Sequence, residues 1–377
     1  MFTKYAVHIR NRNGDYINRL TDIETLEITE ALNDPGSWSI SSKTPYICPF
    51  NAGDGIVVSR DGELFYSGVL KEITEEYDAY ERLYTWKASG ASDLDYLTRR
   101  VCYPDPATGL TTVVSHYEDS GTLSEVVKRL IDKNLGPEAM PVRQEQLVKS
   151  GVIGDAGSSV SVSLRFQNLL EAIKPLLDSQ NYSIRANWDN SARKIWYQVY
   201  KSTNYDNSLL FSTSLNSLLS VTYNYKAPDG NAVISGGEGE KTERSFAYAN
   251  DDTSAEVWGR IEYYHDMRST ADSELQADAD TTLQKLADEN QGHASVINSN
   301  SWELEYKKNW NIGDFVAVEV HGSVDIQRVL QVKTTVAFDE ETIEPVIGSV
   351  KHSQLSGIYG QLKQLRSDVN QLQWGSN

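Results

Sequence analysis

This chain has little of what marks secreted, metal-bound or membrane proteins. Two of its 377 residues are cysteine, Cys48 and Cys102. Two isolated thiols exclude a disulfide framework and a cysteine-held metal cage, and they suit folding in a reducing cytoplasm. No run of about 18 apolar residues occurs, so no membrane-spanning helix is written. The N-terminus, Met1-Phe2-Thr3-Lys4-Tyr5, enters a strand pattern without an apolar signal region. Positive charge is scarce as well: 35 Lys and Arg stand against 53 Asp and Glu, for a net charge of −18. No Lys/Arg cluster is long enough to track a phosphate backbone, so nucleic acid is not expected as a specific ligand. Such acidity ordinarily means a soluble surface, and it takes a sharper meaning only if the protein lines a conduit.

Catalytic patterns are missing too. There is no His-Glu-x-x-His, no Gly-x-Ser-x-Gly and no phosphate-binding Walker loop. The six histidines (His8, His116, His265, His293, His321, His352) show no ligand spacing, and Cys102 has no histidine near it in sequence. A calcium loop of the Asp-x-Asp-x-Asp-Gly kind is absent. Gly236-Gly237-Glu238-Gly239-Glu240 looks superficially like a phosphate loop, but its two Glu would repel a phosphate and no Lys-Ser/Thr follows. A turn or bulge with close backbone packing is the better reading. The expectation is therefore no catalytic residue, no cofactor and no metal site.

What is there is β-structure. The chain is 39% hydrophobic and holds 21 Tyr, and Tyr, Thr and Val favour strands. Some of these aromatics could be sugar-stacking platforms, although in strands they more often pack. Residues 1–104 read as short strands at Tyr5–Arg10, Glu24–Thr29, Trp38–Ser41, Gly55–Val58, Leu64–Ile73 and Arg82–Ala88, separated by Asn13-Gly14, Asp34-Pro35-Gly36 and Asp61-Gly62 turns. Residues 105–206 change character. Thr122-Leu123-Ser124-Glu125 is a capping box opening a helix with Leu123, Val126, Val127, Leu130 and Ile131 on one face. A second helix is expected over Phe166–Leu177, kinked or shortened by Pro175. The Gly/Ser stretch from Gly151 to Ser163 reads as loop, and Tyr182–Ala186 with Lys194–Tyr200 as paired strands. Residues 207–350 return to β, with Phe315–Val320, Ile326–Val336 and Trp302–Tyr306 as strands and a helix over Ala271–Asn290 stopped by Gly292.

Two stretches 260 residues apart share one pattern. Aligned without gaps, Gly53–Thr74 and Gly313–Thr334 agree at Gly53/Gly313, Asp54/Asp314, Val58/Val318, Gly62/Gly322, Val69/Val329, Leu70/Leu330 and Thr74/Thr334. Seven identities in 22 positions compare with about one or two from composition alone. Both read strand, tight turn, strand, which suggests an internally duplicated β-module; the alternative is two unrelated hairpins with a common pattern. In residues 351–377, Leu355, Ile358, Leu362, Leu365, Val369 and Leu372 are spaced alternately three and four apart, a heptad seam. It reads as either a self-associating coiled coil or one helix laid on its own protein.

The segment Asn231-Ala232-Val233-Ile234-Ser235-Gly236-Gly237-Glu238-Gly239-Glu240 with Arg244, then Gly259-Arg260-Ile261-Glu262 with Asp266 and Arg268, resembles a siphophage tail-tip hub family. Asp61-Gly62, Ser67-Gly68-Val69, Tyr96-Leu97-Thr98-Arg99-Arg100 and the strand opening at Gly313-Asp314 extend the resemblance over most of residues 20–350. The length looks most like the hubs of lactococcal siphophages with a large baseplate. The resemblance, like the contractile-tail baseplate hub, implies a mainly β fold with α+β insertions: two pseudo-symmetric β-barrel-like domains, smaller inserted domains and a C-terminal helix. It implies a homotrimer in the virion that presents six near-equivalent positions to a hexameric distal tail ring protein. Tape-measure and receptor-binding proteins would be further partners, and DNA would only pass through. Many members carry a peptidoglycan-cleaving extension; this chain ends soon after residue 350, which argues against lytic activity. A tail-tip hydrolase or protease and a carbohydrate-binding adhesin are the alternatives.

Overall fold

A computed structural model describes residues 4–108, 114–151, 154, 156–212, 214–215, 217–239, 243–268, 272–287, 289–296, 304–320 and 323–348. The chain divides into two compact units, one of Met1–Ser220 with Ala294–Val346, the other of Val221–His293 with the residues from Ile347 onward. The fold is mainly β.

The first unit opens with β1 (Tyr5–Arg10), β2 (Tyr16–Leu20), β3 (Thr25–Ala31), β4 (Asp34–Thr44), β5 (Gly55–Arg60), β6 (Glu63–Asp78) and β7 (Leu83–Ser92). Apolar residues alternate along them, so one face buries Tyr5, Val7 and Ile9 of β1, Leu26 and Ile28 of β3, and Trp38 and Ile40 of β4. β5 and β6 meet at Asp61-Gly62, both left-handed at φ 52° and 85°, as a two-residue hairpin requires. β2 went unread because its residues are exposed except Leu20, leaving no buried alternation to detect.

Between the two halves of this unit lie α1 (Asp95–Thr98), β8 (Tyr117–Thr122), α2 (Leu123–Asn134), β9 (Ser159–Leu164), α3 (Leu169–Asp178), β10 (Tyr182–Asp189) and β11 (Lys194–Lys201). α2 starts at the expected box, with Glu125 accepting from the Thr122 amide at 3.2 Å. α3 begins at Leu169, later than expected: Phe166 is left-handed at φ 59°, and the Asn168 side chain caps the Leu170 amide at 3.0 Å. The expected loop before it holds β9, paired antiparallel with β8. Val160 and Val162 pack inward there, a period-two signal hidden among serines. Leu123, Val127, Leu130, Leu170 and Ile173 share one core with Ile184, Ile195 and Tyr197 of the β10–β11 pair.

The chain continues through β12 (Asn204–Ser212) and β13 (Leu218–Lys226). In the second unit, β14 (Ala232–Gly236) is flanked by antiparallel β15 (Phe246–Asn250) and, after α4 (Asp252–Trp258), by parallel β16 (Glu262–Asp266). α5 (Asp272–Leu286) packs Leu275 and Ala279 against Val233, Ala247 and Ala249 of this sheet. The expected helix end at Gly292 is corrected: that glycine lies inside β17 (Glu289–Val296). β18 (Phe315–Val320), β19 (Ser323–Ala337) and β20 (Glu340–Gly348) follow. Of the expected Trp302–Tyr306 strand, only Leu304, Glu305 and Tyr306 are described, and there a single Tyr306–Trp310 bridge replaces a strand.

The large sheet, which includes the first unit's share of β13, β17 and β20, has the order β13-β17-β20-β19-β3-β4-β7-β6-β5-β1-β2, with β18 beside β19 and β12 beside β18. Two runs in it are the same. β3-β4-β7-β6-β5 and β13-β17-β20-β19-β18 both place their strands, numbered by appearance in the chain, as first, second, fifth, fourth, third. The duplication suggested by seven identities is thus a duplicated five-strand topology. The slot beside each copy differs: β1 is antiparallel to β5, β12 parallel to β18.

Candidate functional site

The repeated turn is built alike in both copies. Gly53 and Gly313 are left-handed at φ 89° and 90°, a conformation that glycine adopts without Cβ strain. The next residue closes the turn: the Asp54 carboxylate accepts from the Asn51 amide at 2.7 Å, and Asp314 from the Asn311 amide at 2.7 Å. The matching asparagines, Asn51/Asn311, lie two positions before the sequence alignment began. Burial pushes the Asp314 carboxyl up, opposed by hydrogen bonds from the Thr203 and Asn311 amides.

Beyond the turn the copies slip by one residue. The β18–β19 register, Glu319↔Val324 and Phe315↔Arg328, is unbroken. In the first copy Ser59↔Leu64 is followed by Val58↔Tyr66, so Phe65 is an extra, bulged residue. Hence Leu70 donates to the Asp54 carbonyl at 3.0 Å where Val329 donates to that of Asp314 at 2.8 Å. The identities Val69/Val329, Leu70/Leu330 and Thr74/Thr334 sit one residue out of structural register. Gly322 lies outside the described residues.

The bulge is where the copies interlock. Phe65 stacks edge-on to Tyr5 at 5.5 Å and Tyr306 at 6.3 Å, while Arg60 and Lys307 stand over its ring at 4.8 and 4.3 Å. Arg60 of β5, almost fully buried, meets Glu341 of β20 at 3.1 Å and Glu305 at 3.4 Å, and donates to the Tyr306 carbonyl. Tyr5 donates to Glu341, and Tyr306 to Glu30 of β3 at 2.9 Å. Lys307 is held by Glu30 and the Phe65 carbonyl; burial lowers its pKa and Glu30 opposes that. The adjoining cavity of about 310 Å³ is lined by Glu30, Tyr200, Tyr306 and Lys307, groups engaged with the protein itself. This arrangement tethers strands and presents no poised nucleophile. Sequence reading missed it because its charges come from four distant stretches.

Each copy also ends its long hairpin in an exposed aromatic. Tyr80 in the β6–β7 loop is 101% exposed and Phe338 in the β19–β20 turn 93%. With the bulge counted, the last residues of β6 and β19, Asp78 and Ala337, fall at equivalent positions.

In the second unit the Gly/Glu-rich motif has a structural use. Arg244 donates to the Gly236 and Gly237 carbonyls at 2.9 and 3.1 Å and pairs with Asp266, which Arg268 also meets at 3.1 Å. Asn231 donates to the Gly259 carbonyl at 2.7 Å and accepts from the Ile261 amide at 2.7 Å. A side chain at Gly236 would strike the Tyr264 hydroxyl and Arg244. The outer face of this sheet exposes Phe246, Tyr248 and Tyr264. Among the described residues no cluster of three or more His, Cys, Asp or Glu could hold a metal, and no helix is long and apolar enough to cross a membrane. Leu355, Ile358, Leu362, Leu365, Val369 and Leu372 lie outside the described residues.

The fold is shared with solved phage tail proteins. The 43 kDa tail protein of prophage MuSo2 from Shewanella oneidensis matches at 12% identity and a TM-score of 0.62, over 93% of this chain and 97% of that one. A tail protein from Neisseria meningitidis MC58 matches at 13% and 0.59, over 92% and 97%. Prophage tail protein gp18 from Listeria monocytogenes EGD-e matches at 13% and 0.52, over 96% and 99%. The class is that of a structural protein of the phage tail or baseplate, a component of the virion. The chain belongs to the Siphovirus ReqiPepy6 Gp37-like protein family, whose profile matches residues 6–349. No curated protein sequence matches it.

Proposed function

We propose that this chain is the tail hub: a homotrimer that closes the distal end of the tail tube and opens for DNA ejection when the phage engages its host. The observation that carries this reading is the duplicated five-strand topology with its common turn. Three chains with two equivalent modules each offer six near-equivalent surfaces, which suits a hexameric distal tail ring. Tape-measure and receptor-binding proteins are the neighbours such a position implies. The heptad seam from Leu355 to Leu372 would lock the trimer, being too short to hold it alone. Three chains would carry three times −18 charges, and a negative lumen keeps DNA from sticking during passage. A neutral or basic channel face in an imaged particle would remove that part.

Light scattering tests the assembly: the full chain is expected as a trimer, and a chain that stays monomeric both alone and with its ring protein refutes the hub. The role needs no chemistry, so host cell walls incubated with the protein should show no clearing in a zymogram. One observation favours a second reading, a glycan-binding surface: Phe246, Tyr248 and Tyr264 lie exposed on one sheet face. Host cell-wall saccharides that bind the wild-type chain but not Tyr248→Ala/Tyr264→Ala would support it.

A further inference from the structure

One patch of the α/β insertion gathers positive charge on an otherwise acidic chain. Arg100 follows α1, Arg143 lies after α2, and Arg165 stands between β9 and α3. Their neighbour Arg99 is held by Asp95 at 2.6 Å, but among the described residues none of these three meets a carboxylate. Arg143, 8% exposed, donates to Asn134 at 3.2 Å and to the Val101 carbonyl at 2.6 Å. Arg100 donates to the Arg143 carbonyl at 3.2 Å, so two like charges adjoin. Burial, opposed by Tyr103 and joined by the Arg100 charge, holds Arg143 below the usual arginine range. Cations crowded in this way are stabilised by an anion brought from outside.

Rings and apolar side chains accompany the arginines. Arg143 stacks on Tyr103 at 3.6 Å, Tyr103 meets Phe166 edge-on at 6.1 Å, and Arg165 stands over Phe166 at 5.8 Å. Val142 is 86% exposed, Phe166 43% and Val101 38%. Phe166 is held there against local preference. Its amide donates to the Cys102 carbonyl at 2.7 Å while the Cys102 amide donates to the Gln167 carbonyl at 2.8 Å, so two residues oppose one. The left-handed first residue of such a bulge is ordinarily glycine, and here it is Phe166, at φ 59°. Backbone strain kept under an exposed ring points to a use outside the fold.

We propose that this patch docks an acidic segment of a partner protein, its apolar side chain set on Tyr103 and Phe166 between carboxylates taken by Arg143 with Arg100 on one side and by Arg165 on the other. The planar fork of arginine accepts a carboxylate bidentately. Arg, Tyr and Phe are the residues that protein interfaces enrich. A phosphate polymer would satisfy the arginines but offers no apolar group to Val101, Val142 and Phe166, and that favours a peptide. The proposal does not depend on the trimer.

The test uses the full chain and a fluorescein-labelled peptide with Asp-Glu on either side of Leu-Leu, followed by fluorescence anisotropy. The peptide should bind, and more weakly as salt rises. Replacing its acids by Lys should abolish binding, and replacing Leu by Ser should weaken it about tenfold. Arg165→Glu should weaken it about fivefold. Phe166→Gly should weaken it about tenfold without lowering the unfolding midpoint, because glycine takes the left-handed backbone without strain. A merely structural ring would lower the midpoint and leave binding alone. Should Phe166→Gly fold poorly, Arg165→Glu, at an exposed position, decides by itself. A peptide that fails to bind at millimolar concentration, or that binds both variants as well as the wild type, overturns the docking surface. Preference for poly(glycerol phosphate) over the peptide also overturns it and makes the patch a phosphate site. The hub reading stands through all of these outcomes, since its own test is the oligomeric state.

Discussion

The two five-strand copies agree where they turn and differ where they touch. Both close an Asn-x-Gly-Asp turn with the same carboxylate-to-amide bond and the same left-handed glycine. They differ at Phe65, an extra residue in β6 whose ring lies against Tyr306, next to the Arg60–Glu341–Glu305 cluster. They differ also in the gap between first and second strand, where the first copy has only Leu32-Asn33 and the second has residues 227–288. A duplicated module keeps its backbone geometry where strain would punish any change, and diverges at the surface where each copy must meet the other.

Breaking that meeting point should have the largest effect. Arg60→Ala takes the guanidinium from Glu305, which is buried and keeps Lys308 at 3.0 Å, and from the half-buried Glu341, which keeps the Tyr5 hydroxyl. The loss should therefore stay at or below the roughly 3–5 kcal/mol of a buried charge left with no partner. Arg60→Met with Glu341→Gln should recover part of it, because the substituted side chains are neutral and Glu305 keeps Lys308 at 3.0 Å. Denaturant unfolding measures both. Stability unchanged in Arg60→Ala would mean that the copies hold together without the cluster.

The turn glycines sharpen the comparison, because their backbones match and their surroundings do not. A Cβ at Gly53 would have only Arg12 near it, at 3.9 Å, whereas one at Gly313 would meet Ser183 at 2.5 Å and Leu32 and Ser202 at 3.2 Å. Gly53→Ala should cost about 1–2 kcal/mol for the left-handed backbone alone. Gly313→Ala should cost about 1–2 kcal/mol more for the crowding. Equal losses would show that the second turn relaxes freely.

How much of this was legible in the sequence follows from what kind of signal each feature sends. The paired turns, β1 and α2 were readable because local chemistry sets them: Gly53 and Gly313 need their backbone, and Thr122 and Glu125 cap within one turn. The register slip was not, since a bulge inside β6 leaves an ungapped alignment looking sound while moving Val69 and Leu70 out of equivalence. Glu30, Arg60, Glu305 and Glu341 carry no local mark of burial; only β3, β5 and β20 being brought beside one segment makes them a cluster. Gly292 misled because a helix-stop residue serves equally well in a strand when neighbouring strands enforce it.

Asp314 gives the comparison a pH axis. Its folded pKa is raised, by burial first. The carboxyl is therefore stabilising while protonated, and that contribution is full below the unfolded value near 3.9 and is lost as pH rises through the folded pKa. Asp314→Asn should flatten this component in the stability-pH curve, read by denaturant unfolding across the acid range, and an unchanged curve would mean that the buried carboxyl of the second turn contributes nothing to it.

The smallest effect should come from the hairpin tips, and its sign is the informative part. Phe338 and Asp339 are both left-handed, at φ 52° and 68°, the backbone of a two-residue turn that favours Asn and Gly. A 93% exposed phenylalanine there gains little from burial and carries the strain of a bulky side chain. Phe338→Asn should therefore raise stability by about 0.5–1 kcal/mol, read as a rise in the unfolding midpoint. Tyr80, in a four-residue loop whose left-handed position is Arg82 (φ 57°), carries no such strain, and Tyr80→Asn should leave the midpoint unchanged. A stabilised Phe338→Asn chain would mean that the aromatic is kept at the tip against the interest of the fold, as expected of a side chain whose contact is made in the assembled tail. A destabilised one would mean that the second hairpin uses its phenylalanine internally and that the two tips are alike only in position.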